Sequence, residues 1–436
     1  VRRARFAAIV LAFLVAGAPT KVAADDVTAA APAPAPALVI PAGAEAGPNF
    51  DVEQATRAWV DTLTPEQRAK SDAYFEGGYV LELVSFIYGL GVAALFLLTP
   101  LSRRMRGVAE RFSKPQYFRS VIYGAQYVLL TALVTFPLTY YEGFYREHAY
   151  GMANNSFGSW LGDEGKSLGV DLVFGSMFIG VLYLIFRKAP RTWWVWGTGA
   201  SLVFIAFAVM IGPVFFAPMF NTYKSVPEGP VREGILSMAR ANGIPAADVY
   251  WFDASRQTKR ISANVSGLLG TTRISLNDNL MNRSPEASIQ AVMGHEMGHY
   301  VLNHVYKLLV GMGLVLLAGF AFTAWGFNRV LARWGGRLGV SGIADPAGLP
   351  LLVVVASVWF FVMTPVSNSL TRTQEAEADI FGLNASRQPD GFAAVAMQLS
   401  EYRKIHPGNW EEIFFFDHPS GWNRVHMAMR WKKENP

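Results

Sequence analysis

His295-Glu296-Met297-Gly298-His299 decides how this chain folds and what it holds. On a helix, two histidines four residues apart lie on one face, where both imidazoles can hold a single metal ion. Glu296 is rotated by about a third of a turn from His295, too far round to share the ion but able to reach a water on it. This is the H-E-x-x-H arrangement of zinc proteases, with the glutamate as general base. Upstream, Ser284 is expected to cap the helix, with Pro285 in its first position and Glu286 near the positive end of its dipole. Ile289, Val292 and Met293 recur at helical spacing as a buried stripe. Nothing in the pattern stops this helix before the apolar run beyond His304.

The motif sits in a chain of 436 residues that is 52% hydrophobic and 16% charged. That profile fits a multi-span membrane protein better than two or three soluble domains. Six stretches, near 79–99, 119–141, 168–186, 193–213, 305–325 and 350–368, have about the 20 apolar residues needed to cross a bilayer. The expected fold is therefore mainly α, a polytopic transmembrane helical bundle. Its polar parts, 218–304 and 369–436, are expected to meet as one water-exposed domain holding His295. The first four spans fall within 51–217 and the last two within 305–368. Asp51 to Glu76 is expected to be polar helix outside the membrane.

Further upstream, Arg2, Arg3 and Arg5, an apolar stretch from Phe6 to Ala16, and Val22-Ala23-Ala24 match an export signal over 1–24. Residues 25–50, with the Ala/Pro tract from Ala30 to Pro48, are expected to be a semi-extended linker with nothing to pack into a core. There is no cysteine, so any metal must use histidine and carboxylate.

The short loops give sidedness. Loop 100–118 carries Arg103, Arg104, Arg106, Arg111 and Lys114; loop 187–192 carries Arg187, Lys188 and Arg191; loop 326–349 carries Arg329, Arg333 and Arg337. These share one side by alternation, and the opposing loop 142–167 is acidic. The positive-inside rule puts the basic set in the cytoplasm and the polar domain outside, on the periplasmic face of a bacterial inner membrane. The basic residues are topology signals, so no nucleic-acid partner is expected; the net charge is only +5.

Zinc needs a third protein ligand and one open position. His304 lies about 140° around the helix from His299, which favours a structural role. Arg372-Thr373-Gln374-Glu375-Ala376-Glu377-Ala378-Asp379 follows the last span and puts Glu375 and Asp379 on one face, with Glu377 elsewhere. Spacing alone leaves two readings of it open. It is either a ligand helix, with Glu375 on zinc and Asp379 accepting a hydrogen bond from an imidazole, or a solvated acidic helix start.

Taken together, His295 to His304 resembles the H-E-x-G-H-x-x-x-x-H helix of the type I CAAX prenyl protease family, integral-membrane zinc metallopeptidases related to the bacterial heat-shock membrane protease. Glu375-Ala376-Glu377-Ala378-Asp379 is similar to its E-x-x-A-D motif, and the resemblance makes Glu375 the third ligand of one zinc ion per chain. Ala217-Pro218-Met219-Phe220-Asn221 resembles the segment opening that family's protease domain. Ser262-Ala263-Asn264 with Arg273-Ile274-Ser275-Leu276 resembles the hairpin that holds extended substrate, which points to Asn264 and implies a small β-sheet edge on a zincin-like domain. His418-Pro419 with Arg424 resembles a C-terminal H-P-x-x-x-x-R element, which implies that His418 and Arg424 steady the substrate carbonyl or the oxyanion, with a structural salt bridge as the alternative role for Arg424.

The expected function is zinc-dependent endopeptidase action on a peptide or protein substrate at the bilayer, with Glu296 moving the protons. Clearance of membrane proteins by the same chemistry is an alternative. A membrane scaffold that keeps the metal without cleaving is the alternative class, and the intact Glu296 speaks against it.

Overall fold

The computed structural model describes residues 36–266 and 272–436. The export-signal reading of 1–24 lies outside the described residues. Among the described residues, five helices are long and apolar enough to cross a membrane: Pro65–Leu98, Gln116–Ala149, Phe157–Lys188, Trp193–Ile211 and His304–Leu338. A sixth candidate is Pro346–Val362 with Thr364–Ser386, bent by 52° at the break. Pro365 lies in the first turn after that bend, where its missing N–H costs the new helix nothing.

The polar helix expected over Asp51 to Glu76 is two helices. Asp51 caps Val52–Val60 by accepting from Gln54 N at 2.7 Å. Thr64 and Gln67 form a capping box ahead of Pro65, and the helix that starts there runs unbroken into the first span. The Ala/Pro linker is also corrected in its second half. Leu38, Ile40, Ala44 and Phe50 pack with Trp59, Phe392 and Met429, and Ala44 is fully buried. These apolar side chains provide the surface to bury that the alanines and prolines before them lack.

Contacts sort the loops onto two faces. On one, Arg106 Nη1 pairs with Asp345 Oδ2 at 2.5 Å and Arg103 Nη1 donates to the carbonyl of Leu338, which joins two of the basic loops. On the other, the buried Glu147 binds Arg260 at 2.7 Å and accepts from Tyr74, tying two spans to the polar domain. Segments 218–304 and 369–436 pack together through the helices Glu286–Val301 and Thr364–Ser386.

Their sheet has four strands: β1 (Tyr223–Ser225), β2 (Val249–Phe252), β3 (Ala263–Ser266) and β4 (Arg273–Asn277), in the order β1-β2-β4-β3. Only the β2/β4 pair is parallel, and β3 is an edge strand with Asn264 opposite Ser275. The motif helix, Glu286–Val301, lies against β3 and buries Ile289, Met293 and Met297 into the core beneath the sheet.

Two expectations about that helix fail. Ser284 does not cap it; its hydroxyl donates to Gln398 Oε1 at 2.7 Å, because the helix Pro389–Leu399 packs over the position. Nor does the helix run into the next span. Asn303 takes a left-handed conformation, φ 57°, ψ 38°, and a new helix starts at His304. Asparagine is one of the few non-glycine residues that tolerates this backbone, so apolar periodicity alone does not reveal the stop.

The motif helix crosses Thr364–Ser386 at near backbone contact. A Cβ on Gly382 would sit 2.7 Å from His295 N, one on Gly294 2.9 Å from Gly382 O, and one on Gly298 3.1 Å from Ala378 Cα. Gly382→Ala is therefore expected to destabilise the fold by about 1–3 kcal/mol, the usual cost of overpacking. It should also lower metal content; thermal unfolding and elemental analysis of the purified variant check both.

Candidate metal centre

That crossing sets Glu375 and Asp379, one turn apart on the second helix, on either side of the His295 ring. Asp379 Oδ1 lies 2.7 Å from Nδ1, and Glu375 Oε2 lies 3.2 Å from Nε2. His299 Nε2 is 3.1 Å from His295 Nε2 and 3.6 Å from Glu375 Oε1. One ligand atom from each of His295, His299 and Glu375 lies within 4.8 Å of the others. Roughly 2.0–2.1 Å ligand distances around a tetrahedral ion place neighbouring ligand atoms about 3.3 Å apart, so the spacing suits zinc.

Tautomers make the same point. His295 donates its Nδ1–H to Asp379, leaving Nε2 a bare acceptor. His304 donates Nε2–H to Glu377 Oε2 at 3.1 Å, so its Nδ1 accepts from His299 Nδ1–H at 2.9 Å. His299 Nε2 is then bare as well. Glu375 Oε2 is buried, with only the Nε2 atoms of His295 and His418 near it among the described residues, at 3.2 and 3.1 Å. Two imidazole lone pairs and a carboxylate converge, an arrangement that repels itself unless a cation neutralises it. The donor set is nitrogen and carboxylate oxygen, as a catalytic zinc site requires.

The remaining sequence candidates fall around this group. Glu296 is half-buried beside His295, and burial pushes its carboxyl up to about 7; His295 opposes the shift and Glu375 adds to it. His418 Nε2 is 3.1 Å from Glu375 Oε2, and its Nδ1 lies 2.7 Å from Asp417 Oδ1. Arg424 is buried, with Nε 2.9 Å from Asp379 Oδ2 and Nη2 on Asp379 Oδ1. Both of these donors are engaged by the carboxylate that orients His295. Asn264 lies on the edge strand beside the motif helix.

Comparison with known proteins fits this geometry. Residues 225–432 match peptidase family M48, and residues 52–222 match the CAAX prenyl protease N-terminal region, described as five membrane helices. The chain belongs to peptidase family M48. An uncharacterized metalloprotease of Bacillus subtilis, YhfN, is 29% identical to the M48 chain over 359 residues, covering 80% of this chain and 84% of that one. CAAX prenyl protease 1 of Saccharomyces cerevisiae is 26% identical over 307 residues, covering 67% and 68%. The crystal structure of S. mikatae Ste24p has the same fold, with a TM-score of 0.72 at 22% identity over 85% of this chain and 90% of that one. The M48 chain is thus a multi-pass membrane metalloendopeptidase of the CAAX prenyl protease type, zinc-dependent and acting on peptide or protein substrates.

Sequence reasoning left Glu377 of the M48 chain without a partner. It binds His304 and, at 2.5 Å, Lys307, so a relay from Lys307 to His299 crosses the helix break at Asn303. The histidine five residues past His299 was the available signal, and it acquires meaning only once the break turns it back. Asp379→Asn is expected to weaken metal binding about 10- to 100-fold, as loss of a carboxylate behind a ligand imidazole does. Glu377→Gln should weaken it less, since that carboxylate is 43% exposed. Chelator competition on both variants measures the difference.

Proposed function

We propose that the M48 chain holds one zinc ion on His295, His299 and Glu375 and cleaves extended polypeptide on the outer, periplasmic face of a bacterial inner membrane. The convergence of ligand atoms from His295, His299 and the buried Glu375 within 4.8 Å of one another carries this reading. When bound, zinc supplies Lewis acidity toward the scissile carbonyl and toward water. Glu296 takes a proton from the attacking water and passes it to the leaving amine, a task for which a half-buried carboxyl with a raised pKa is suited. Asp379 and Arg424 keep His295 in one tautomer, and Glu377 with His304 does the same for His299. His418 borders Glu375, with its Nε2 3.1 Å from Oε2 and its Nδ1 turned to Asp417.

Substrate backbone adds along β3 at Asn264, an arrangement that needs no particular side chain. The three basic loops share the far face, which supports an outward protease domain. With the site turned from the cytosol, we favour an exported or membrane-inserted polypeptide over a prenylated one.

Glu296→Gln is expected to keep its zinc while losing about 10²- to 10⁴-fold in peptide hydrolysis, the usual weight of a general base. Unchanged turnover with metal retained would remove the mechanism. Orientation has its own test, since the chain has no cysteine. A single cysteine at the exposed Lys224 should react with an impermeant maleimide added to intact spheroplasts, and one at the exposed Arg333 should not.

A further inference from the structure

On the face away from the protease domain, the basic loops enclose a cavity of about 640 Å³ walled in part by Arg106, Arg119 and Arg187. Two carboxylates also line it. Glu110 is exposed, and Asp345 is engaged by Arg106 and by the backbone N–H groups of Ser341 and Ala347 at 3.0 Å. The other two arginines are less satisfied. Arg119 donates Nε to the carbonyl of Ser113 at 2.8 Å. Arg187 donates Nη1 to Ser120 Oγ at 3.1 Å, and its Nη2 is buried with no hydrogen-bond partner. Among the described residues, neither forms an ion pair with a carboxylate.

A half-buried guanidinium with a buried nitrogen left unbonded is costly, and its planar fork suits the oxygens of a phosphate. A second cleft of about 630 Å³ adjoins the first, sharing Pro190 and Ile343, with Trp193, Trp194 and Trp325 in its wall. Trp325 is 57% exposed, as a side chain facing lipid is. Tryptophans gather at headgroup depth, and basic pockets between spanning helices take lipid headgroups. We infer that the paired clefts bind an anionic glycerophospholipid, with its phosphate on Arg119 and Arg187 and its chain along the tryptophans. A free phosphate would satisfy the arginines but leave the apolar cleft without an occupant.

Native mass spectrometry of the delipidated full chain, titrated with phosphatidylglycerol or with phosphatidylcholine of equal chain length, tests this. Wild type should retain phosphatidylglycerol preferentially. Arg119→Gln/Arg187→Gln should lose on the order of twentyfold in that preference, at about fivefold per cationic side chain. Arg104→Gln/Lys114→Gln removes the same charge from exposed positions on this face and should keep the preference. Peptide cleavage by the double variant reports its folding. If it does not fold, Arg119→Gln alone should lose about fivefold. Equal retention of both lipids by wild type overturns the inference, as does equal loss in the two double variants. Displacement of the lipid by inorganic phosphate at matching concentration would also overturn it, making this a site for soluble anions.

Discussion

Everything at the metal centre depends on how closely two helices approach. The motif helix and Thr364–Ser386 touch through Gly294, Gly298 and Gly382, with Ala378 and the Cβ of Phe381 against Gly298. With side chains there the axes would be forced apart, and His295 would be drawn away from the two carboxylates one turn apart on its neighbour. The ring is bracketed, with Asp379 on Nδ1 and Glu375 at Nε2. Because both come from one helix face, sliding the helices by a residue would break both contacts together. The histidine tautomer and the ligand geometry therefore share one packing constraint.

Support for that bracket comes from far along the chain. Arg424, on the C-terminal helix Gly421–Glu434, pairs with the fully buried Asp379, so removal of either leaves an uncompensated charge inside the protein. That helix is held in turn by Val52–Val60 and by the apolar residues before it, while Lys432 donates to the Ala44 carbonyl and pairs with Asp390. The family matches begin at residue 52. Residues 36–51 lie outside those matches and pack on the C-terminal helix. They share one apolar cluster with the helix that carries Arg424, with Ala291 of the motif helix and with Leu383 of the Glu375 helix.

The parts of this protein visible in its sequence are those set by local spacing. Four-residue separation put His295 and His299 on one face, and the same rule paired Glu375 with Asp379. Apolar length located the spans, although the last is bent where Pro365 opens a new helix. Other features needed tertiary information. Asn303 stops the motif helix by adopting a backbone that its neighbours in sequence do not announce. Ser284 has the chemistry of a cap but faces Gln398. Leu38, Ile40 and Ala44 were hidden by the alanines and prolines around them, a composition that describes the tract and not the residues that dock. The glycine crossing was missed for a similar reason: a lone glycine in a helix resembles a defect until the partner backbone is in place.

The basic loops show the same difference between counting and placement. Summed as charges, Arg103, Arg104, Arg106, Arg111, Lys114, Arg187, Lys188 and Arg191 act alike and orient the chain. In the folded protein they separate. Arg106 is engaged by Asp345, which is further fixed by Ser341 and Ala347, so its charge closes the loops and is no longer offered outward. Arg103 holds the carbonyl that ends the fifth span. Arg187 leaves the last turn of its helix with only one of its two terminal nitrogens bonded. A residue recruited for topology needs charge alone and does best well hydrated. One held at the bilayer boundary with a buried, unpaired nitrogen carries a cost that orientation does not require, and this distinguishes a binding residue from the sorting signals around it.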